Sequence, residues 1–221
     1  TQLTDGQDIY QVVTGATNIF EGTIVPFSPP GSRLADGSKM KKAKLRGVPS
    51  SGMLCSEAEL GVADEADGIW ILPEDTPIGV DFCSWAYLTD DVLDIEVLPN
   101  RGDCQSILGV ARDVAVLLDQ PLKWPEAAPN VVENGPQVSF DMHAEDGCFR
   151  YHGRVIDVET QHETPIWMKR RLQMVGMKPI GLVVDVTNYV LMEIGQPLHA
   201  FDYAAIKGEK VVVRYAQPNE S

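Results

Sequence analysis

One segment, Asp185 to Asp202, constrains the fold more than any other because it contains a helix pattern, a helix stop and a stiff loop in succession. The apolar positions at helical spacing are Val186, Tyr189, Val190 and Ile194. Asp185 can cap the start of this helix, and Gly195 can end it in a left-handed conformation. Pro197 then keeps the chain extended, so the segment predicts a packed helix followed by a loop that carries His199.

Two interpretations of His199 follow from the residues. A histidine beside a packed helix is often a core residue whose ring nitrogens bond to neighbouring backbone groups. Alternatively, a proline-stiffened loop is a suitable place from which to present a functional imidazole. Ala200, next to His199, is small and leaves room for a ligand.

The charge balance excludes nucleic-acid binding over the whole surface. The 221-residue chain has a formal net charge of −14, and phosphate contacts require cations. It has no apolar run of the length that a membrane helix needs, so we expect a soluble, cytoplasmic protein with no membrane partner. The four cysteines and four histidines are scattered without metal-ligand spacing, so no metal site is predicted.

One basic patch interrupts the acidic sequence. Its five cations are Lys39, Lys41, Lys42, Lys44 and Arg46, with no acidic residue among them. If this stretch is a strand, Lys42, Lys44 and Arg46 share one face while Ala43 and Leu45 face the core. The patch is then either a local contact for RNA phosphates or an edge strand that lysines protect from aggregation.

The remaining patterns indicate an α+β chain that is mainly β. An amphipathic helix is predicted near residues 103–118, with Asn100 or Asp103 as its cap and a buried stripe of Ile107, Ala111, Val114 and Leu118. A second helix should start at Thr164-Pro165 and end at Gly176. Strands are expected at 92–99 and 210–216. A hairpin is expected around the turn Glu145-Asp146-Gly147.

Composition shifts divide the chain into parts. Residues 1–90 are β-rich, 91–123 form a helical connecting unit, 124–136 are a Pro- and Asn-containing linker, and 137–221 form a second α+β unit. The first residue is not Met, and a strand pattern begins almost at once, so we expect an internal fragment of a longer protein.

Several separated strings resemble the β chain of bacterial phenylalanine–tRNA ligase. They are VTGATN with KKAKLRGVPSSGMLCSEAELG, LPNRGDCQSILGVARDVAVL, and VVDVTNYVLMEIGQPLHAFD. The resemblance implies that residues 1–90 form a tRNA-binding oligonucleotide-binding (OB) fold, a five-stranded barrel that here lacks its first two strands. It also implies that 137–221 are the first half of the module that hydrolyses mischarged tyrosyl-tRNA.

The same resemblance suggests residues and partners. Pro197, His199 and Ala200 match positions that line the editing pocket, and Asn188 is a candidate second polar contact. The partners implied are tRNA(Phe) and the α subunit, in an α2β2 heterotetramer. The resemblance implies that the complete enzyme uses ATP and Mg²⁺. No ATP-binding motif occurs in these 221 residues. We therefore expect this chain to need no cofactor and to be inactive in aminoacylation by itself.

Two other functions remain open at this point. The chain can be a tRNA-binding module with a structural appendage and no chemistry, or a structural piece that only assembles with the α chain. Salt-dependent tRNA binding without ester hydrolysis would favour the first, and α-chain binding without tRNA binding the second.

Overall fold

The computed structural model describes residues 1–127, 132, 134–158 and 162–220. The chain divides into two compact units, residues 1–91 and 92–221. Part of the linker predicted at 124–136, namely 128–131 and 133, lies outside the described residues. In the described part, no helix combines the length and apolar character needed to cross a bilayer.

The first unit consists of short antiparallel strands and one short helix. They are β1 (Gln2–Thr4), β2 (Ile9–Gln11), β3 (Phe27–Ser28), β4 (Ala43–Leu45), β5 (Val48–Ser50), β6 (Met53–Leu54) and α1 (Phe82–Trp85). The strands pair as β1 with β2, β3 with β6 and β4 with β5. An isolated bridge between Ile24 and Leu72 adds one further link. Short antiparallel ladders therefore make up the β-structure of this unit.

A small apolar core holds these ladders together. Its buried members are Val12, Leu54, Cys55, Leu72 and Ala86. The rings of Tyr10 and Phe27 contact each other in a tilted arrangement, with centroids 4.9 Å apart. Long-range polar contacts add specificity, because the side chain of Asn18 donates to the carbonyl of Ile69 at 2.8 Å and accepts from its N–H at 3.1 Å.

The second unit combines three longer helices with one pair of strands. They are α2 (Ile107–Leu117), β7 (Ser139–Met142), α3 (Ile166–Met174), α4 (Leu182–Ile194) and β8 (Lys210–Val213). Helices α2 and α3 both pack against α4, and Leu108, Met168 and Leu172 are buried. The strands are two to four residues long and the longest helix has 13, so the expected predominance of β-structure is not seen in the described residues.

The prediction for α2 was right about the helix and wrong about its cap and its buried face. The cap is Ser106, whose hydroxyl accepts from the N–H of Gly109 at 3.1 Å. Leu108 and Gly109 are buried, whereas Ile107 and Leu118 are 57% and 64% exposed. Apolar residues occur on several sides of this helix, so contact with α4 decides which side is buried, and the periodicity alone does not.

The hairpin predicted around Glu145-Asp146-Gly147 is also wrong in its pairing. Strand β7 pairs in parallel with β8, so that Phe140 is opposite Val211. The predicted partner strand extends into residues 159–161, which lie outside the described residues, and its described part, 151–158, is not a strand. Residues 92–99 form no regular strand either, and Leu93 is 79% exposed. An alternating pattern predicts a strand only where a neighbouring strand is available.

The boundaries of α3 and α4 follow the predicted signals closely, except for the role of Asp185. Helix α3 begins after Pro165 and ends before Gly176, which has a φ of 79°. Helix α4 ends at Gly195 with a φ of 78°, as predicted. It starts three residues before Asp185, after Gly181, so Asp185 lies inside its first turn rather than at its cap.

Candidate functional site

The basic segment, residues 39–46, is exposed in the first unit. The backbone of Lys39 forms an isolated antiparallel β-bridge with that of Arg33, and the N–H of Met40 donates to the carbonyl of Ser32 at 2.9 Å. The chain then continues into β4. Lys39, Lys41, Lys42, Lys44 and Arg46 are all exposed, and none of them has an ion-pair partner within the described ranges. Their charges are therefore available to an anionic ligand.

A tight turn, rather than a continuous strand, presents Arg46. Arg46 and Gly47 both have positive φ angles, 50° and 84°, as a type I′ turn between β4 and β5 requires. The prediction that Lys42, Lys44 and Arg46 share one strand face is therefore wrong for Arg46. Ala43 and Leu45 are exposed rather than part of the core, because β4 pairs only with β5 in the described structure.

A cleft of about 450 Å³ opens beside the basic segment. Its larger apolar lining residues are Val13, Met40, Leu45, Met53, Leu54 and Ile69. Lys41 lines it next to Met40, and from Lys41 onward alternate residues, Ala43 and Leu45, also line it, whereas Lys42 and Lys44 do not. Its volume is in the range of small-ligand pockets.

A capping box fixes one carboxylate in the wall of the cleft. Glu59 Oε2 accepts hydrogen bonds from the N–H and the hydroxyl of Ser56, each at 2.7 Å, and the N–H of Glu59 donates to Ser56 Oγ at 3.3 Å. Our reading of the sequence missed Glu59 as a site residue. The signal was present, because Ser56-x-x-Glu59 is the capping-box spacing.

Cys55, which lies between the cleft residues Leu54 and Ser56, supplies no nucleophile. It is 1% exposed, and burial together with the nearby Glu59 carboxylate raises the pKa of its thiol to about 12. The thiol is therefore protonated at neutral pH. The chemistry that this cleft offers is recognition of a ligand, with Lys41 and Glu59 as its charged groups.

The residues predicted for an editing pocket lie in the second unit. Pro197, His199 and Ala200 are exposed on the loop that follows α4, and the His199 ring lies 6.4 Å from that of Phe201. Asn188 is half-buried within α4. None of the four lines the cleft. The exposure of His199 favours a presented imidazole over a core histidine, while the roles of these residues stay predictions.

Contacts at both ends of α4 hold this helix in place. Gly195 packs on the cap of α2, since a Cβ at this position would lie 3.3 Å from Ser106 Cβ. At the other end, Asp185 is buried and bonded to Thr164. Asp202, at the end of the loop, accepts from the N–H of Ala204 at 3.0 Å. His199 thus projects from a loop with fixed ends.

Two family models match the chain, one in each unit. Residues 1–81 match a putative tRNA binding domain, and residues 147–221 match a B3/4 domain. The first match covers the basic segment and the cleft, and the second covers α3, α4 and the His199 loop.

Curated relatives match nearly the whole chain. It is 46% identical over 219 residues to the phenylalanine–tRNA ligase β subunit of Oleidesulfovibrio alaskensis, covering 97% of this chain and 27% of that protein. The β subunits of Hahella chejuensis and Desulfotalea psychrophila are 45% and 40% identical over 220 residues, covering 99% and 100% of this chain and 28% and 27% of those proteins. The chain thus spans little more than a quarter of the length of these relatives.

Proposed function

Because the chain is homologous over nearly its whole length to the β subunits of phenylalanine–tRNA ligase, we propose that it contributes tRNA contacts to such a ligase. The contacts come from the basic segment and the adjoining cleft, in a partial OB-fold at residues 1–90. The proposed architecture continues with the connecting unit at 91–123, the linker at 124–136 and the editing-module part at 137–221. The partners are tRNA(Phe) and the α subunit of an α2β2 assembly, and the complete enzyme uses ATP and Mg²⁺.

The observation that supports this proposal most directly is the uncompensated charge of residues 39–46. In a chain of net charge −14, long-range attraction to RNA is weak and contacts must be local. Five exposed cations without ion-pair partners among the described residues provide such a local contact. They lie in the unit that matches a putative tRNA binding domain. An edge strand protected by lysines would need the same charges but no cleft beside them.

Salt-dependent tRNA binding tests the proposal. If Lys42, Lys44 and Arg46 each contact one phosphate, the logarithm of affinity should fall with the logarithm of salt concentration with a slope of about −3 or shallower. The variant K42E/K44E/R46E should not bind. The matched variant K123E/R154E/K207E makes the same charge change at exposed residues elsewhere and should bind more strongly than the first. Equal affinities of the two variants would refute the role of the basic segment.

A second function, hydrolysis of mischarged tyrosyl-tRNA, is favoured by the exposed His199 at the end of α4. The imidazole would orient the tRNA end or the attacking water, with Pro197 and Ala200 shaping the pocket and Asn188 adding a polar contact. A site that pairs with the tyrosine hydroxyl would reject phenylalanine, which leaves buried polar groups unpaired. Deacylation of tyrosyl-tRNA by the complete enzyme and by this chain tests it. If tRNA binds without deacylation in either, the chain is a binding and assembly module.

A further inference from the structure

We propose that the cleft of the first unit receives one unstacked RNA base that carries an exocyclic amino group, and that Glu59 recognises this group. The inference rests on the proposed RNA-binding function and names the part of the RNA that enters the site. It differs from the phosphate contacts of the basic segment because it concerns the identity of a base.

Glu59 is a pre-oriented hydrogen-bond acceptor. Its Oε2 atom is held by two donors of Ser56 at 2.7 Å, which fix the plane of the carboxylate. Its Oε1 atom has no hydrogen-bond partner among the described residues, and Glu59 lines the cleft. A ligand that donates an N–H to Oε1 would complete the hydrogen bonding of this group without reorganising it.

The apolar lining suits a flat, aromatic ligand. Met40, Met53 and Ile69 are half-buried and line the cleft together with Leu45. Thioethers make favourable contacts with aromatic rings, and two of these four residues are methionines. A base that leaves the stack would bury its faces against these side chains, as bases do in other single-strand binding clefts where aromatic residues serve this purpose.

The charges around the cleft set the direction in which a nucleotide enters. Lys41 lines the cleft, and the exposed cations Lys42 and Lys44 follow it in the chain. Ala66, also in the lining, belongs to the exposed acidic run Asp64-Glu65-Ala66-Asp67. Phosphates are attracted to the first group and repelled by the second. The backbone therefore runs along the basic segment, and the base edge points toward Glu59 and the acidic run.

A carboxylate at the base edge discriminates between amino and keto groups. Cytosine presents an amino donor at the position where uracil presents a carbonyl acceptor, and Glu accepting from cytosine N4 is a known type of base contact. Uracil would place its carbonyl oxygen against a carboxylate oxygen, which is repulsive. We expect cytosine to be preferred over uracil by about tenfold in affinity.

The test is fluorescence anisotropy of labelled oligo(C) and oligo(U) ribonucleotides with the 221-residue chain at low salt. The E59Q variant retains one oxygen to accept from Ser56 and places an amide donor where the second oxygen stood, so it should lose or invert the preference for oligo(C). The E57Q variant removes the same charge from the same turn, at a residue that does not line the cleft, and should keep the preference. A43L, which narrows the cleft, should reduce the preference to near unity.

The outcomes separate this inference from the proposed function. Equal binding of oligo(C) and oligo(U) by the parent chain overturns the inference but leaves the proposed RNA-binding function standing. This comparison requires no variant. A preference that survives E59Q in a variant with an unchanged melting temperature overturns it as well. Failure of both oligonucleotides and of tRNA to bind at low salt overturns the proposed function and, with it, the inference.

Discussion

The hydroxyl of Thr164 donates a 2.6 Å hydrogen bond to the carboxylate of Asp185, and both residues are buried. The other oxygen of Asp185 accepts from the N–H of Ile180 at 2.8 Å. These bonds join Thr164, which precedes the N-cap Pro165 of α3, to the first turn of α4. This buried pair therefore anchors the start of α4, the helix whose other end leads into the His199 loop.

Removal of the Thr164 hydroxyl should destabilise the second unit. T164V keeps the shape of the side chain but leaves an oxygen of Asp185 without its donor, so we expect a loss of about 1–3 kcal/mol in the free energy of unfolding, measured by urea denaturation. T187V removes a hydroxyl that bonds only to the Val184 carbonyl of its own helix, and should cost less than about 0.5 kcal/mol. Equal losses in the free energy of unfolding would show that the Thr164–Asp185 hydrogen bond stabilises the unit no more than the Thr187 bond does.

Gly52 should not tolerate a side chain. Its φ is 122°, and a Cβ would lie 2.5 Å from both Phe27 Cε2 and the Ser28 carbonyl oxygen. G52A should therefore lower the free energy of unfolding by about 2 kcal/mol or more, through backbone strain and overpacking. G15A is the control, because a Cβ there meets nothing within 4 Å. Denaturation midpoints that agree for the two variants would contradict this account.

Acid should weaken the contact between Arg101 and Asp103. Two hydrogen bonds from the guanidinium, at 3.0 and 2.9 Å, lower the pKa of Asp103 to about 2 from an ordinary value of 3.8. A depressed pKa in the folded state means that the stabilising contribution is complete above the unfolded value and is lost as the pH falls through the folded one. The loss should therefore occur as the pH falls from about 4 to about 2.

Two measurements check this pH dependence. An NMR titration of the Asp103 carboxyl should give a midpoint well below that of an unpaired aspartate. Urea denaturation of D103N should show a shallower fall in stability over the same acid range than the parent does. High salt should reduce the difference, because the pair is solvent-exposed and screened. Parallel pH profiles for parent and D103N would rule out the ion pair as the cause.

His199 should matter for editing and little for folding. The side chain is exposed, so H199A should change the free energy of unfolding by no more than about 0.5 kcal/mol, whereas L172A, at a fully buried position, should cost about 2–5 kcal/mol. Placed in the complete two-chain enzyme, H199A should slow deacylation of tyrosyl-tRNA and leave phenylalanine charging unchanged. Unaltered deacylation would refute the functional role, and a large fall in melting temperature would support a structural one.

Features that depend on one residue and its close neighbours could be predicted from the sequence. Gly195 and Gly176 end their helices as predicted because a left-handed conformation is a local property of glycine. Pro165 marks the start of α3 for a similar reason. Of the candidate site, the five cations of residues 39–46 were found from the sequence, because charge and exposure need no partner.

The pairing of residues that are distant in the sequence depends on the packing of each whole unit. Strand β7 pairs with β8 rather than forming the predicted hairpin, Leu108 rather than Ile107 is buried in α2, and Asp185 bonds to Thr164 instead of capping α4. The cleft likewise joins Met40 and Ile69, which are far apart in sequence. Such contacts depend on the relative free energies of alternative long-range pairings. The local pattern is compatible with several of them, so only packing of the whole unit selects one.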